Sequence, residues 1–250
     1  VQHRLGSDDW QLEARLQRLG WQRWGMLPGV QQMDGLLALS PAGGQLQLAL
    51  GPQTLRVGPY FPADIPLTSL DAALALQKRR DGWVLMAQGV QLRTPALSVN
   101  SDVRLTLPTT AAPALYLLSD IDLHDAGQAW RYYPRLAMGQ RLTDYLRSAL
   151  QQGSVDGAVL LWNGPLDAFP YHDGGGRFQV QVPLRNARFQ FDPQWQPLTD
   201  LSLDLLFQND TLAMRSTAAT LGQAKSNYID AWFPALAEDA RLYINADVQG

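Results

Sequence analysis

The stretch GQLQLAL, residues 44–50, sets Leu46, Leu48 and Leu50 in strict alternation with Gln45, Gln47 and Ala49. Residues i and i+2 of a strand share a face, so the segment has one apolar and one polar surface. The same period recurs along the chain. Phe178, Val180 and Val182 alternate with Gln179 and Gln181, Phe189 and Phe191 flank Gln190, and Leu203, Leu205 and Phe207 alternate with Ser202, Asp204 and Leu206. Turn signals part these runs at Pro41-Ala42-Gly43-Gly44, Asp81-Gly82, Asp173-Gly174-Gly175-Gly176 and Asn209-Asp210. Short strands with one wet face indicate an antiparallel sheet rather than parallel βαβ units.

Two segments carry strong helix formers, Trp10–Leu19 and Ser69–Lys78, yet both alternate: Trp10, Leu12, Ala14, Leu16 and Leu70, Ala72, Leu74, Leu76. An internal echo favours strands. DWQLEARLQRL from Asp9 resembles GWVLMAQGVQL from Gly82, and more faintly DTLAMRSTA from Asp210; Gly89 within the second copy indicates a strand with a bulge. One region departs from the period. Asp125 is placed to cap a short helix through Trp130 and Tyr133, which Pro134 ends. A second helix is expected over Gln140–Gln152, with Leu142, Tyr145, Leu146, Ala149 and Leu150 at helical spacing and Gly153 as the left-handed residue after it. This insertion either covers the sheet as core or lids one side of an open sheet.

Charged residues are only 17% of the 250, the net charge is −3 and there is no cysteine. The fold therefore relies on packing without disulfides or thiolate metal sites. No basic stripe is available for a nucleic-acid partner; Lys78-Arg79-Arg80 reads as a solvated turn. No run of 18 apolar residues exists to span a membrane. Both ends read as cut, and the chain is expected to be a fragment of a larger protein. His3, His124 and His172 are scattered, and Asp122-Leu123-His124-Asp125 lacks the spaced ligands of a calcium loop and reads as a polar strand end and cap. No nucleophile elbow, P-loop or dinucleotide motif is present. The eight Trp, Trp83 and Trp195 among them, read as core or rim aromatics at strand starts rather than a sugar site. No catalytic residue, metal or cofactor is expected. Apolar stripes are what remain, and on pattern alone they favour an ordinary closed sandwich core over an open surface.

The run RLTDYLRSALQQGSVDGAVLLWNGPLDAFPY, from Arg141 to Tyr171, adds a more specific signal. With Tyr145-Leu146, Gly153, Trp162-Asn163-Gly164 and Phe169-Pro170-Tyr171 in order, it resembles the YhdP family of AsmA-like proteins of the Gram-negative envelope. The resemblance continues through Asn186-Ala187, Trp195 and Asn209, and more loosely upstream to Leu27. Gln196 departs from it, standing where the family has proline directly after tryptophan. The resemblance implies a long periplasmic β-sheet curled into an open apolar groove, a β-taco like that of bridge-like lipid transfer proteins. It also implies an inner-membrane anchor in the full-length chain, phospholipid as cargo moving toward the outer membrane, and possible envelope protein partners.

The expected architecture is thus mostly β: one continuous groove segment over 1–250 with a helical insertion at 126–152. Its candidate lipid-binding residues are Leu46, Leu48, Leu50, Leu74, Leu76, Phe178, Val180, Val182, Phe189, Phe191, Leu203, Leu205 and Phe207. A strand of six to eight residues spans roughly 20–26 Å, enough to shield an acyl chain about 15 Å long. The alternative is a structural or partner-binding β-domain whose stripes close into a dry core.

Overall fold

Alternation is realised as strand after strand in a computed structural model that describes residues 2–3, 10–25, 27–236 and 241–249. The strands are β1 Gln2–His3, β2 Trp10–Trp21, β3 Val30–Ser40, β4 Gly43–Leu50, β5 Gln53–Leu55, β6 Ile65–Leu67, β7 Ser69–Arg79 and β8 Gly82–Arg93. They continue as β9 Leu97–Pro108, β10 Ala114–Leu123, β11 Leu150–Pro165, β12 Arg177–Phe189, β13 Leu198–Gln208, β14 Thr211–Leu221, β15 Ala224–Phe233 and β16 Tyr243–Gln249. Fourteen of them form one antiparallel sheet in chain order, from which only the small β5–β6 hairpin stands apart. Its edge strands do not pair with each other, so the sheet is an open, curled groove and not a barrel. At about 4.8 Å per strand it runs roughly 60 Å across the strands. Both ambiguous segments are strands, β2 and β7.

The curl comes with repeated interruptions of the ladder. Arg18, Gly89 and Gly157 all have positive φ at register shifts within strands. At each, the backbone N–H donates to an aspartate on the adjacent strand: Arg18 to Asp34, Gly89 to Asp102 and Gly157 to Asp122, every one at 2.8 Å. The bulge expected at Gly89 is therefore one of a set of three. Bulges of this kind bend a strand and raise its local twist.

Connections differ at the two ends of the strands. One long edge carries tight links at 41–42, 80–81 and 209–210, while the other carries the β5–β6 hairpin and the helical segment between β10 and β11. That segment begins with a 3-10 turn, Ala126–Tyr132, whose N-cap Asp125 accepts from Gly127 N–H. The helix α1, Arg135–Ala149, follows, broken at Gly139, where φ is +74°. The second helix thus ends three residues before Gln152, because Leu150–Gln152 join β11. Gly153 is not a helix terminator: it lies inside β11, packed against Ala187. Thr143 and Ala149 are buried with Leu146 half-buried beside them, while Leu142 is 44% exposed, so α1 rolls away from the expected Leu142 contact. Trp195 is exposed in the link before β13 and starts no strand.

Two packed clusters lie beneath this helical edge. Val30, Met33, Leu50, Leu55, Val57, Ile65 and Leu67 close under the β5–β6 hairpin, with Tyr132 against them. Ala126 packs with Val155, Ala158, Leu184, Ala187, Leu201 and Ala219. The Thr94 and Tyr132 hydroxyls, 2.7 Å apart, fasten the 3-10 turn to the β8–β9 link.

The aspartate locks are testable singly. Asp122→Ala removes the acceptor of Gly157 N–H and is expected to cost about 1–2 kcal/mol, read as a lower denaturant midpoint with an unchanged slope.

Candidate binding groove

Cross-strand register settles which side chains share a face, since residues directly opposite one another stand on the same side. One row runs Ala14, Leu37, Leu46, Leu74, Ala87, Val103, Leu117, Trp162, Phe178, each the direct partner of the next. A second runs Leu160, Val180, Phe207, Leu212, Phe233, and a third Val182, Leu205, Met214, Ala231, Ile244. The apolar stripes read strand by strand therefore join into one surface crossing the whole sheet.

That surface is neither dry nor bare. Leu46, Leu48, Leu74, Phe178, Val180, Val182, Phe189, Leu203, Leu205 and Phe207 are all half-buried, and Leu76 is 36% exposed. Among the described residues no second large sheet faces them. Leu50 differs: it is 5% exposed, sealed under the β5–β6 hairpin. Phe191 lies beyond the end of β12, 51% exposed, its ring 4.8 Å from that of Phe189. Phe189 in turn meets Tyr145 of α1 edge-on at 6.3 Å. The two closed clusters lie at the helical edge, while elsewhere on the face Ala87, Leu212 and Ala231 are buried among half-buried neighbours.

The opposite edge has its own rim. The link between β11 and β12 folds over the apolar face, stacking Phe169 on Trp162 at 4.9 Å with Phe178 edge-on to both. Tyr171 is buried, its hydroxyl accepting from Trp162 Nε1–H at 2.7 Å. Gly164 and Gly176 leave no room for a Cβ against its ring. Asn209 ties the corner down: its Oδ1 accepts from Phe178 N–H and its Nδ2 donates to Tyr171 O. The sequence pattern named these aromatics without marking them as a wall. The floor residues Val103, Leu105 and Leu117 were also missed, although Val103, Leu105 and Leu107 alternate; the doublet Leu117-Leu118 hides the period in β10.

The other face carries the ion pairs, with apolar side chains such as Leu36, Val159 and Trp232 scattered and exposed among them. Arg185 pairs with Asp204, and Arg215 Nε donates to Asp230 at 3.0 Å while Tyr228 Oη donates to its second oxygen at 2.7 Å. These two bonds, Arg215 first, hold the Asp230 carboxyl below its ordinary range. Among the described residues no group of three acidic, His or Cys side chains could hold a metal. No helix among them is long and apolar enough to cross a membrane.

An open antiparallel sheet with one continuous, half-exposed apolar face between two rims defines a groove-forming β-protein. The whole chain, residues 1–250, matches the model of the YhdP protein family. It is also 32% identical over 244 residues to the intermembrane phospholipid transporter YhdP of Escherichia coli (strain K12). That alignment takes in 98% of this chain and 19% of the relative, so the chain spans about a fifth of that protein's length. No solved structure matches. The chain belongs to the YhdP family.

The polar face yields a pH test. A carboxyl whose folded pKa is depressed contributes stability that is complete above its unfolded pKa and is lost as pH falls through the folded value. The advantage of the parent over Asp230→Asn in denaturation midpoint is expected to hold at neutral pH. It should vanish as pH drops below the ordinary value of 3.8 and through the lower folded one.

Proposed function

We propose that the apolar face holds phospholipid acyl chains, and that this chain is one segment of a periplasmic bridge along which lipid passes between the inner and outer membranes. The observation that carries this reading is the set of apolar rows running unbroken across the strands on a face that no second sheet covers. An acyl chain about 15 Å long fits within the strands that carry the candidate lining, β4, β7, β12 and β13, which are eight to thirteen residues long, leaving the headgroup in water. Each methylene taken from water is worth about 0.8 kcal/mol, so a chain of a dozen or more carbons is retained without a specific polar partner. Smooth walls of Leu, Val and Phe hold it without fixing its position, which suits conduction. The reading needs no catalytic residue and no cofactor in this chain. The E. coli relative's role as an intermembrane phospholipid transporter supports the cargo. In this reading the full-length protein is tethered to the inner membrane and meets envelope partners at its ends.

The lining on this reading is Leu46, Leu48, Leu74, Leu76, Phe178, Val180, Val182, Phe189, Leu203, Leu205 and Phe207. Leu50 serves the packed edge instead, and Phe191 the rim beside α1. That division gives a paired test in the full-length protein. Leu50→Asp buries a carboxylate in a closed cluster and should cost several kcal/mol, enough to remove the cooperative melt. Val180→Asp leaves its carboxylate able to reach water in the groove, so the protein should stay folded and abundant. Co-purified lipid, read by native mass spectrometry, and envelope barrier function should both fall. A folded Val180→Asp protein with normal lipid occupancy would refute the groove reading at β12. Unfolding of both variants alike would favour a closed core.

A further inference from the structure

The helical strap over 126–149 concentrates positive charge in a protein whose net charge is −3: Arg131, Arg135, Arg141 and Arg147 stand against one acid, Asp144. None of the four forms an ion pair with the described residues. Two of them converge. The Arg131 and Arg147 guanidinium carbons lie 4.7 and 4.1 Å from the centre of the Trp130 ring, and hence within about 9 Å of each other. Arg131 spends its Nε–H on Gln128 Oε1, at 2.9 Å, keeping the far end of its fork. Arg135, at the start of α1, has a buried Nε without a hydrogen-bond acceptor. Buried donors are paired almost without exception, and more so when charged.

The strap is also in the right place. Its Ala126 packs on the apolar-face cluster that Val182, Leu203 and Leu205 adjoin, and its Tyr132 packs on the cluster beneath β5–β6. Two cations held on one ring make a local excess of positive charge that an anion offsets. Guanidinium forks match phosphate oxygens two at a time, which ammonium groups do not. Two carboxylates lie nearby, each accepting a single backbone N–H through Oδ1, Asp125 from Gly127 and Asp64 from Val57, so the four arginines keep the strap's charge positive.

We infer that the strap is a headgroup rail, in which Arg131 and Arg147 take the phosphate of a phospholipid whose acyl chains lie in the groove and Arg135 adds positive charge further along it, favouring net-anionic headgroups over zwitterionic ones. The inference rests on the groove reading and adds the headgroup class to it. The chemistry is that of a phosphate ester, which free glycerol phosphate shares.

The test uses full-length protein exchanged against vesicles of equal phosphatidylglycerol and phosphatidylethanolamine, with bound lipid counted by native mass spectrometry. The parent is expected to be enriched in phosphatidylglycerol. Arg131→Gln/Arg147→Gln should cut that enrichment about fivefold at unchanged total lipid, and Arg131→Lys/Arg147→Lys should retain part of it. Unchanged headgroup composition in the Gln variant overturns the rail while leaving the groove reading intact. A parent that binds no lipid overturns both. Should the Gln variant fail to fold, the parent and Lys variant decide: equal amounts of the two lipids on both overturns the rail. Titration with soluble glycerol phosphate forms the second arm. Saturable binding that the Gln variant loses, with no headgroup bias in bound lipid, assigns the site to a free phosphate ester and overturns the lipid assignment.

Discussion

A backbone N–H turned out of its ladder must find an acceptor, and three times in this sheet the acceptor is an aspartate from the next strand. Asp34, Asp102 and Asp122 each receive an amide displaced at a left-handed residue. Without such acceptors the bulges would leave unmet donors, and the strands would relax toward a flatter ladder. Curvature here is thus specified by a short-range polar bond rather than by what the sheet encloses. That is the condition for a groove whose shape does not depend on its contents.

With curvature fixed from the polar side, the apolar side need not close. Full packing is concentrated along one edge, where the hairpin and the strap cover Leu50, Val155, Leu184 and Leu201. The rest of the face keeps its half-buried Leu, Val and Phe, shielded mainly by one another. A sandwich spends the same residues on a second sheet. Here the charged pairs Arg185–Asp204 and Arg215–Asp230 hold the polar face outward, so the two surfaces are not interchangeable.

Much of this was legible because a strand's period is two. Leu46 to Leu50, Phe178 to Val182 and Leu203 to Phe207 read directly from spacing, and the echo between Trp10 and Trp83 favours a strand over a helix at Trp10–Leu19. The misreadings have local causes. Period two breaks at bulges, so the parity of β12 shifts between Leu184 and Ala187 and the alternation seen at Phe189-Gln190-Phe191 runs past the strand end. Helical spacing continues through Leu150 and carries the expected helix to Gln152, although pairing with Phe189 draws Leu150 into β11. Whether a stripe is covered is a property of the other elements, and no single strand encodes it. The strap's arginines were in view, yet their convergence on Trp130 exists only once the turn and the helix are folded together.

The order of the sheet bears on how such a molecule is made. Among the described residues each strand lies beside its neighbour in the chain, β5–β6 being the only detour. Loop closure between neighbours is entropically cheap, and topologies dominated by local pairings fold quickly. A chain appearing one end first can add each hairpin to those already formed, with no early strand waiting for a distant partner. Such a sheet can lengthen by hairpins over evolutionary time as readily as during synthesis, each addition leaving earlier pairings in register.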